Sequence, residues 1–206
     1  MIPDLHGAQS ASAEAIAAGL CAHGLSVADH YADAVLVRDL AACAQLRWER
    51  GEFAPARVGA AGEARRREEI RGDCICWLAE PLLPAETALL RALEQLRLAL
   101  NRQATLGLFD LEMHYARYQA GAGYARHVDQ PQGRDQRRVS AVLYLNSDWD
   151  AALGGSLRVF DGARALRDIA PVAGRLVCFL SAGLEHEVLP SLRTRWSLTG
   201  WFRTRA

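Results

Sequence analysis

Apolar positions recur with one period in the first half of this chain and another in the second. In the first half they fall three or four apart, the spacing of one helix face. The stretch SASAEAIAAGLCAHG predicts a helix that opens at a serine cap and stops at Gly24. A second, LVRDLAACAQLRWERG, ends at Gly51. The third, PAETALLRALEQLRLALNR, opens on proline and places Leu89, Leu93, Leu96 and Leu100 on one face, suited to packing on a sheet. The second half turns to short β-rich runs: DLEMHYARY, YARHVDQPQ, RVSAVLYLN, GSLRVF, GRLVCFLS and RWSLTGWF, separated by glycine, aspartate or proline. Helices first and at least six strands after them predict an α+β protein. Its core is expected to be a sheet sandwich or a jelly roll, buttressed by the N-terminal helices. The helical support would run from about 10 to 105 and the β core from about 106 to 204. Between the second and third helices, residues 53–73 are polar, arginine-rich and aperiodic, and predict a mobile finger whose RRREE run is a solvated surface.

Composition narrows this picture. With 206 residues, 50% of them hydrophobic, the chain can bury one core, so a single domain spanning 1–206 is expected. Basic and acidic residues balance at 24 each, which provides no net field for nucleic acid or a membrane surface. Every cation is arginine, and with the abundant alanine this suggests a GC-rich bacterial genome. No apolar run approaches the ~20 residues of a membrane helix, and the N-terminus shows no secretory pattern. The five cysteines are scattered, and Cys74 and Cys76 have the wrong spacing for a zinc knuckle or a redox pair. They predict reduced, mostly buried thiols in the cytoplasm, and the protein is expected to be a monomer.

Candidate chemistry begins at YARHVDQPQ. On a strand, His127 and Asp129 would point to one face. His-x-Asp alone is common, but GLEHEV supplies His186 further along. Two histidines and a carboxylate on β-structure form the facial ligand set of non-haem Fe(II), which leaves coordination positions open. Zinc more often takes a closed four-ligand cage, or three ligands and a water. In the closing strand Arg195, Ser197, Thr199 and Trp201 share a face, as do Ser140, Val142 and Tyr144 in an earlier one. An inward guanidinium is costly to bury unless an anion meets it, either an internal acid or a dicarboxylate held against the metal.

These motifs carry a resemblance. HGLSVADHY, IRGDCICW, YARHVDQPQG, VSAVLYLNSDWD, GGSLRVF and HEVLPSLRTRWSLTGWF, taken in order, resemble the Fe(II)/2-oxoglutarate-dependent prolyl hydroxylases, most closely the type that oxidises hypoxia-inducible factor. The resemblance runs from about residue 15 to the end, and it implies that the α+β core is a double-stranded β-helix, the jelly-roll form. It implies that His127, Asp129 and His186 hold Fe(II), and that Arg195 and Tyr144 meet the distal carboxylate of 2-oxoglutarate, with Tyr118 and Thr199 in the same pocket. It further implies that Asp73, Trp77 and Arg137 border a prolyl-peptide site; Arg137 and Asp73 are then expected to pair as the finger closes, and Trp201 to form an apolar wall for the pyrrolidine ring. The turn QPQGRDQR is one residue longer than in the family.

The implied reaction is prolyl 4-hydroxylation of a protein by Fe(II), O2 and 2-oxoglutarate, giving succinate and CO2, with ascorbate as an accessory reductant. For a bacterial member, elongation factor Tu is the implied target. Two alternatives stand beside it: a dioxygenase of free amino acids or small metabolites, and a non-catalytic module that senses iron and 2-oxoglutarate. Nucleic-acid demethylation is disfavoured by the neutral charge balance.

Overall fold

The structure, a computed structural model, describes residues 12–57, 67, 70–130 and 135–205. The elements follow the order α1 (Ala13–His23), β1 (Leu25–Ala28), α2 (Ala34–Glu49), β2 (Ala54–Pro55), β3 (Asp73–Trp77) and α3 (Pro84–Ala104). Then come β4 (Asp110–Tyr118), β5 (Tyr124–His127), β6 (Arg137–Tyr144), β7 (Leu157–Asp161), β8 (Arg164–Ile169), β9 (Leu176–Leu180), β10 (His186–Val188) and β11 (Arg195–Arg203).

Helix boundaries follow the local chemistry. Ser12 accepts from the Ala15 N–H and opens α1, and Gly24, at φ 68°, closes it in the left-handed region that glycine reaches without strain. Asp33 caps α2 through the Leu36 N–H at 2.8 Å, three residues ahead of the Leu36 where the sequence pattern starts that helix. Pro84 opens α3, and Glu86 reaches back to the Leu83 N–H at 2.9 Å.

The strands form two sheets. Seven lie in the order β1-β9-β6-β11-β4-β3-β2, and four in the order β5-β10-β7-β8. Alternation along β6 shows how the layers stack. Val139, Ala141 and Leu143 point into a core shared with the helices, while Val142 and Tyr144 point into a core between the sheets. The first core holds Leu89, Leu93, Leu96 and Leu100 of α3, all fully buried. Each such leucine contributes roughly 1.5–3 kcal/mol relative to exposure. The second core joins Ala116, Tyr118, Val177 and Phe179 of the large sheet to Leu157, Val159 and Val188 of the small one. Two facing antiparallel sheets with helices on one outer side are the α+β jelly roll that the resemblance implies, one of the two forms that the strand pattern allows.

Several expectations change. Among the described residues there are eleven strands, and three of them, β1, β2 and β3, lie within the region expected to be helical support. They extend the large sheet at both edges. The ends of the expected finger are therefore strand-paired, Ala54 with Ile75 and Pro55 with Cys74 at the start, and Asp73 with Tyr118 at the close. Most of its middle, with most of the RRREE run, falls outside the described residues. The cysteines are less buried than expected. All five are thiols; Cys76 and Cys178 are buried, Cys43 and Cys74 are intermediate and Cys21 is exposed. Their scatter through helices and strands explains this, since each takes the exposure of its own element face. No helix among the described residues is long and apolar enough to cross a membrane.

Candidate active site

The mouth of the jelly roll is set by a cross-strand pair. His127 at the end of β5 and His186 at the start of β10 stand directly opposite one another in the small sheet. Their rings lie 4.2 Å apart, centroid to centroid. Asp129 joins them from outside the strand. β5 ends at His127, so the alternation expected to carry both side chains to one face covers only the histidine. Asp129 instead sits in a bend held by a bond from the Gln130 N–H to the Ser181 carbonyl at 3.1 Å. Ser140 on β6 donates to Asp129 Oδ2 at 2.7 Å and also contacts the Ser181 hydroxyl at 2.9 Å.

The result is a cluster of ligand atoms. Asp129 Oδ1 lies 3.5 Å from His127 Nε2 and 3.7 Å from His186 Nε2, and one ligand atom from each residue falls within 4.8 Å of the others. Both imidazoles use Nδ1 on a backbone carbonyl of their own strand region, His127 with Ala125 at 2.8 Å and His186 with Leu184 at 3.1 Å. A carbonyl can only accept, so Nδ1 carries the proton and each Nε2 presents a lone pair. Burial pushes the Asp129 carboxyl up, but His186, His127 and Ser140 together outweigh it and hold the group well below the usual carboxylate range. Burial lowers the His186 imidazole, against the pull of Asp129, and keeps it neutral. Two imidazoles that turn Nε2 toward a carboxylate held ionised fit a divalent iron with open positions.

Arg195 lies on the same cavity. Its residue is 2% exposed, and Nε donates to the Gly155 carbonyl at 2.9 Å. Among the described residues no carboxylate lies within ion-pair distance of it. Of the two ways to satisfy a buried guanidinium, an internal acid is thus not the one found here, and an incoming anion fits the remainder. Gly155 is itself constrained. At φ 71°, a Cβ there would come 2.9 Å from Ser191 Cβ and 3.4 Å from Arg195 Cδ. The second glycine of GGSLRVF lets the backbone approach the arginine.

Tyr144 and Tyr118 flank the guanidinium, with ring centroids 4.9 and 5.2 Å from its central carbon. Burial pushes both phenols up, against a lowering by Arg195, so both remain O–H donors. The Tyr144 hydroxyl is buried without a hydrogen-bond partner among the described residues. A guanidinium with two phenol donors is chemically suited to a carboxylate.

The remaining sequence-derived candidates separate. Thr199 and Trp201 line the cavity that holds the triad and Arg195, as does Asp73. Asp73 does not pair with Arg137. It is buried and bound twice by Arg71, Nε to Oδ1 at 2.7 Å and the terminal nitrogen to Oδ2 at 3.0 Å. Arg137 instead bonds Glu112 at 2.8 Å and stacks 3.6 Å over the Trp201 ring. The expected Arg137–Asp73 pair is corrected on this point: Arg71, two residues from Asp73, satisfies the acid without a long reach. Trp77 is 44% exposed at the end of β3 and does not line the cavity itself; its ring packs edge-on against His114 at 4.9 Å and lies 6.3 Å from the Trp201 ring.

Several cavity residues carried no assignment from sequence, among them Arg71, His114, Tyr124 and Phe179. Tyr124 stacks on His127 at 3.6 Å, and Phe179 meets His186 edge-on at 4.7 Å. Alternation back from Tyr118 through Ala116 is the signal that could have revealed His114. A second and larger cavity, about 640 Å³, does not contain the triad. It adjoins the first and shares Arg71, Asp73, Tyr124 and Val188 with it.

Comparisons with known proteins converge on this geometry. Residues 113–203 match the 2OG-Fe(II) oxygenase superfamily. A crystal structure of a Pseudomonas putida prolyl-4-hydroxylase is 47% identical, covers 94% of this chain and 99% of its own, and superposes with a TM-score of 0.85. The chain belongs to the 2OG-Fe(II) oxygenase superfamily. Human prolyl hydroxylase EGLN3 is 36% identical over 162 residues, 74% of this chain. The chain spans 64% of that relative's length. A Trichoplax adhaerens prolyl hydroxylase, in complex with a hypoxia-inducible-factor peptide fragment, is 25% identical with a TM-score of 0.85 and covers 93% of this chain. Fe(II), 2-oxoglutarate and O2 are the cofactors of this superfamily, and the triad and the buried arginine are groups chemically fitted to the first two.

Proposed function

We propose that this protein is a prolyl 4-hydroxylase acting on a protein substrate in the cytoplasm, as a monomer. The observation that carries the reading is one cavity that contains both a convergent His-Asp-His set and a buried arginine with no acid partner among the described residues. His127, Asp129 and His186 would hold Fe(II), and Arg195 with Tyr144 would hold the distal carboxylate of 2-oxoglutarate. Bound there, the iron and 2-oxoglutarate together activate O2, giving succinate, CO2 and one oxygen atom for the prolyl C4.

The chain's own residues do the positioning. Nδ1–H bonds fix both imidazole rings, Ser140 turns the Asp129 carboxylate, and the Gly155 carbonyl aims the guanidinium. Phe179, Val142 and Leu157 line the cavity with apolar surface, which excludes water from the oxidation. The adjoining 640 Å³ cavity, which continues the site past Arg71, Asp73 and Tyr124, favours an extended peptide over a small metabolite. The similarity to relatives that are prolyl hydroxylases supports proline as the oxidised residue. Elongation factor Tu is the first target to test, in keeping with the bacterial resemblance.

The test incubates the protein with Fe(II), 2-oxoglutarate, ascorbate and a bacterial lysate, followed by peptide mass spectrometry. We expect a prolyl peptide heavier by one oxygen atom, present with the wild type and absent with His127→Ala. No such peptide, with the two proteins behaving alike, contradicts the proposal.

A further inference from the structure

His114 lies in the middle of β4 and faces the catalytic cavity together with Ala116 and Tyr118. It stands opposite Thr199 on β11 and Trp77 on β3. It is 1% exposed. Its Nδ1 is 3.0 Å from the Tyr115 carbonyl, so that nitrogen carries the proton. Nε2 is then a lone pair, buried and without a donor among the described residues. Burial first, and the Arg71 charge second, lower the imidazole to about 4, so the ring stays neutral near neutral pH. Arg71 itself is engaged by Asp73.

A companion group has the opposite need. The Trp201 ring lies 5.6 Å from the His114 ring, centroid to centroid. Its Nε1–H is also buried and unpartnered among the described residues. Arg137, stacked on one face, and Trp77, 6.3 Å away, hold that indole in place. Two neighbouring residues of the cavity lining therefore hold an unpartnered acceptor and an unpartnered donor. A buried polar atom left unpaired costs free energy that a correctly shaped ligand recovers.

We propose that His114 is a specificity residue that accepts a hydrogen bond from the backbone N–H immediately following the target proline. This rests on the prolyl reading above and deepens it. The proline nitrogen is a tertiary amide with no hydrogen. The N–H nearest the ring is that of the next residue, two bonds beyond the ring, whereas the preceding residue's N–H is one bond further. The carbonyl groups on either side of the ring are the acceptors that the Trp201 indole matches. A free amino acid has no amide after the ring, so this pair selects a proline inside a peptide.

The experiment uses acetylated, amidated pentapeptides with a central proline and randomised flanks, oxidised by the Fe(II)- and 2-oxoglutarate-loaded protein. The best member is then compared with its ester analogue, in which oxygen replaces the N–H after proline. We expect the wild type to prefer the amide about tenfold, in KM rather than in kcat. His114→Phe keeps the ring and removes the acceptor, and should lose that preference. His114→Gln keeps an acceptor oxygen and should retain part of it. Equal use of amide and ester by the wild type overturns the inference whatever the variants do. So does an undiminished preference in His114→Phe, and in both cases the prolyl reading survives. If no pentapeptide is oxidised while the lysate assay still yields a hydroxylated prolyl peptide, the prolyl reading survives and this inference, which places recognition beside the ring, is overturned; if neither is oxidised, both fall.

Discussion

Ser140 shows how much a single side chain can decide at this site. Its hydroxyl occupies Asp129 Oδ2 and leaves Oδ1 toward the two imidazoles. Ser140→Ala should weaken metal binding about tenfold, measured by Fe(II) or Mn(II) titration, and an unchanged affinity would mean that the bend alone orients Asp129. Arg195 separates the two cofactors. Arg195→Ala should abolish productive 2-oxoglutarate use while metal affinity stays near wild type, and equal loss of both would make Arg195 structural. At this scale the sequence was informative where residue type is rare or expensive. A buried arginine and scarce histidines stand out, and the three ligand residues do converge. Arg71 did not stand out, because it sits in an arginine-rich segment where any one cation looks solvated. Its commitment to Asp73 depends on β3 being buried against β4, which a five-residue run of mixed character does not announce.

Elements were legible in proportion to their length. The long amphipathic α3 and its four buried leucines follow from periodicity, as do the caps at Ser12 and Gly24. β10 has three residues and β1 has four, too few for alternation to register, yet β10 carries His186. Asp129 lies beyond the end of its strand, so the convergence was right while the geometry behind it was different. The junction of α2 and α3 offers a test at this scale. Arg47 binds Glu86 through two bonds, at 2.7 and 2.8 Å, and the acid is fully buried. Burial raises the Glu86 carboxyl, but Arg47 and the Leu83 N–H outweigh it and the net shift is downward. Its folded pKa is therefore below its unfolded one, and the stability it contributes is present above pH 4.5 and fades as pH falls through the folded value. Glu86→Gln should cost about 3–5 kcal/mol at neutral pH in a denaturant melt. The gap from wild type should narrow under acid. A gap that widens in acid would contradict the assignment.

Across the whole molecule, the two sheets do different work. The large one turns one face to the helices and the other to the cavity, so its stability and its chemistry are borne by alternate residues of the same strands. The small one brings β5 and β10 together at the mouth and places the histidines opposite each other. Ligands far apart in the chain meet because a jelly roll interleaves distant strands, and no local signal encodes that pairing. Only the fold does, and the fold was reachable here because the motifs occur in a familiar order. The direct test is a crystal structure of the protein soaked with Mn(II) and N-oxalylglycine. The account predicts one metal ion bound by His127 Nε2, His186 Nε2 and Asp129 Oδ1, with the far carboxylate of the inhibitor on Arg195. A metal bound elsewhere, or an inhibitor whose far carboxylate avoids Arg195, would contradict it.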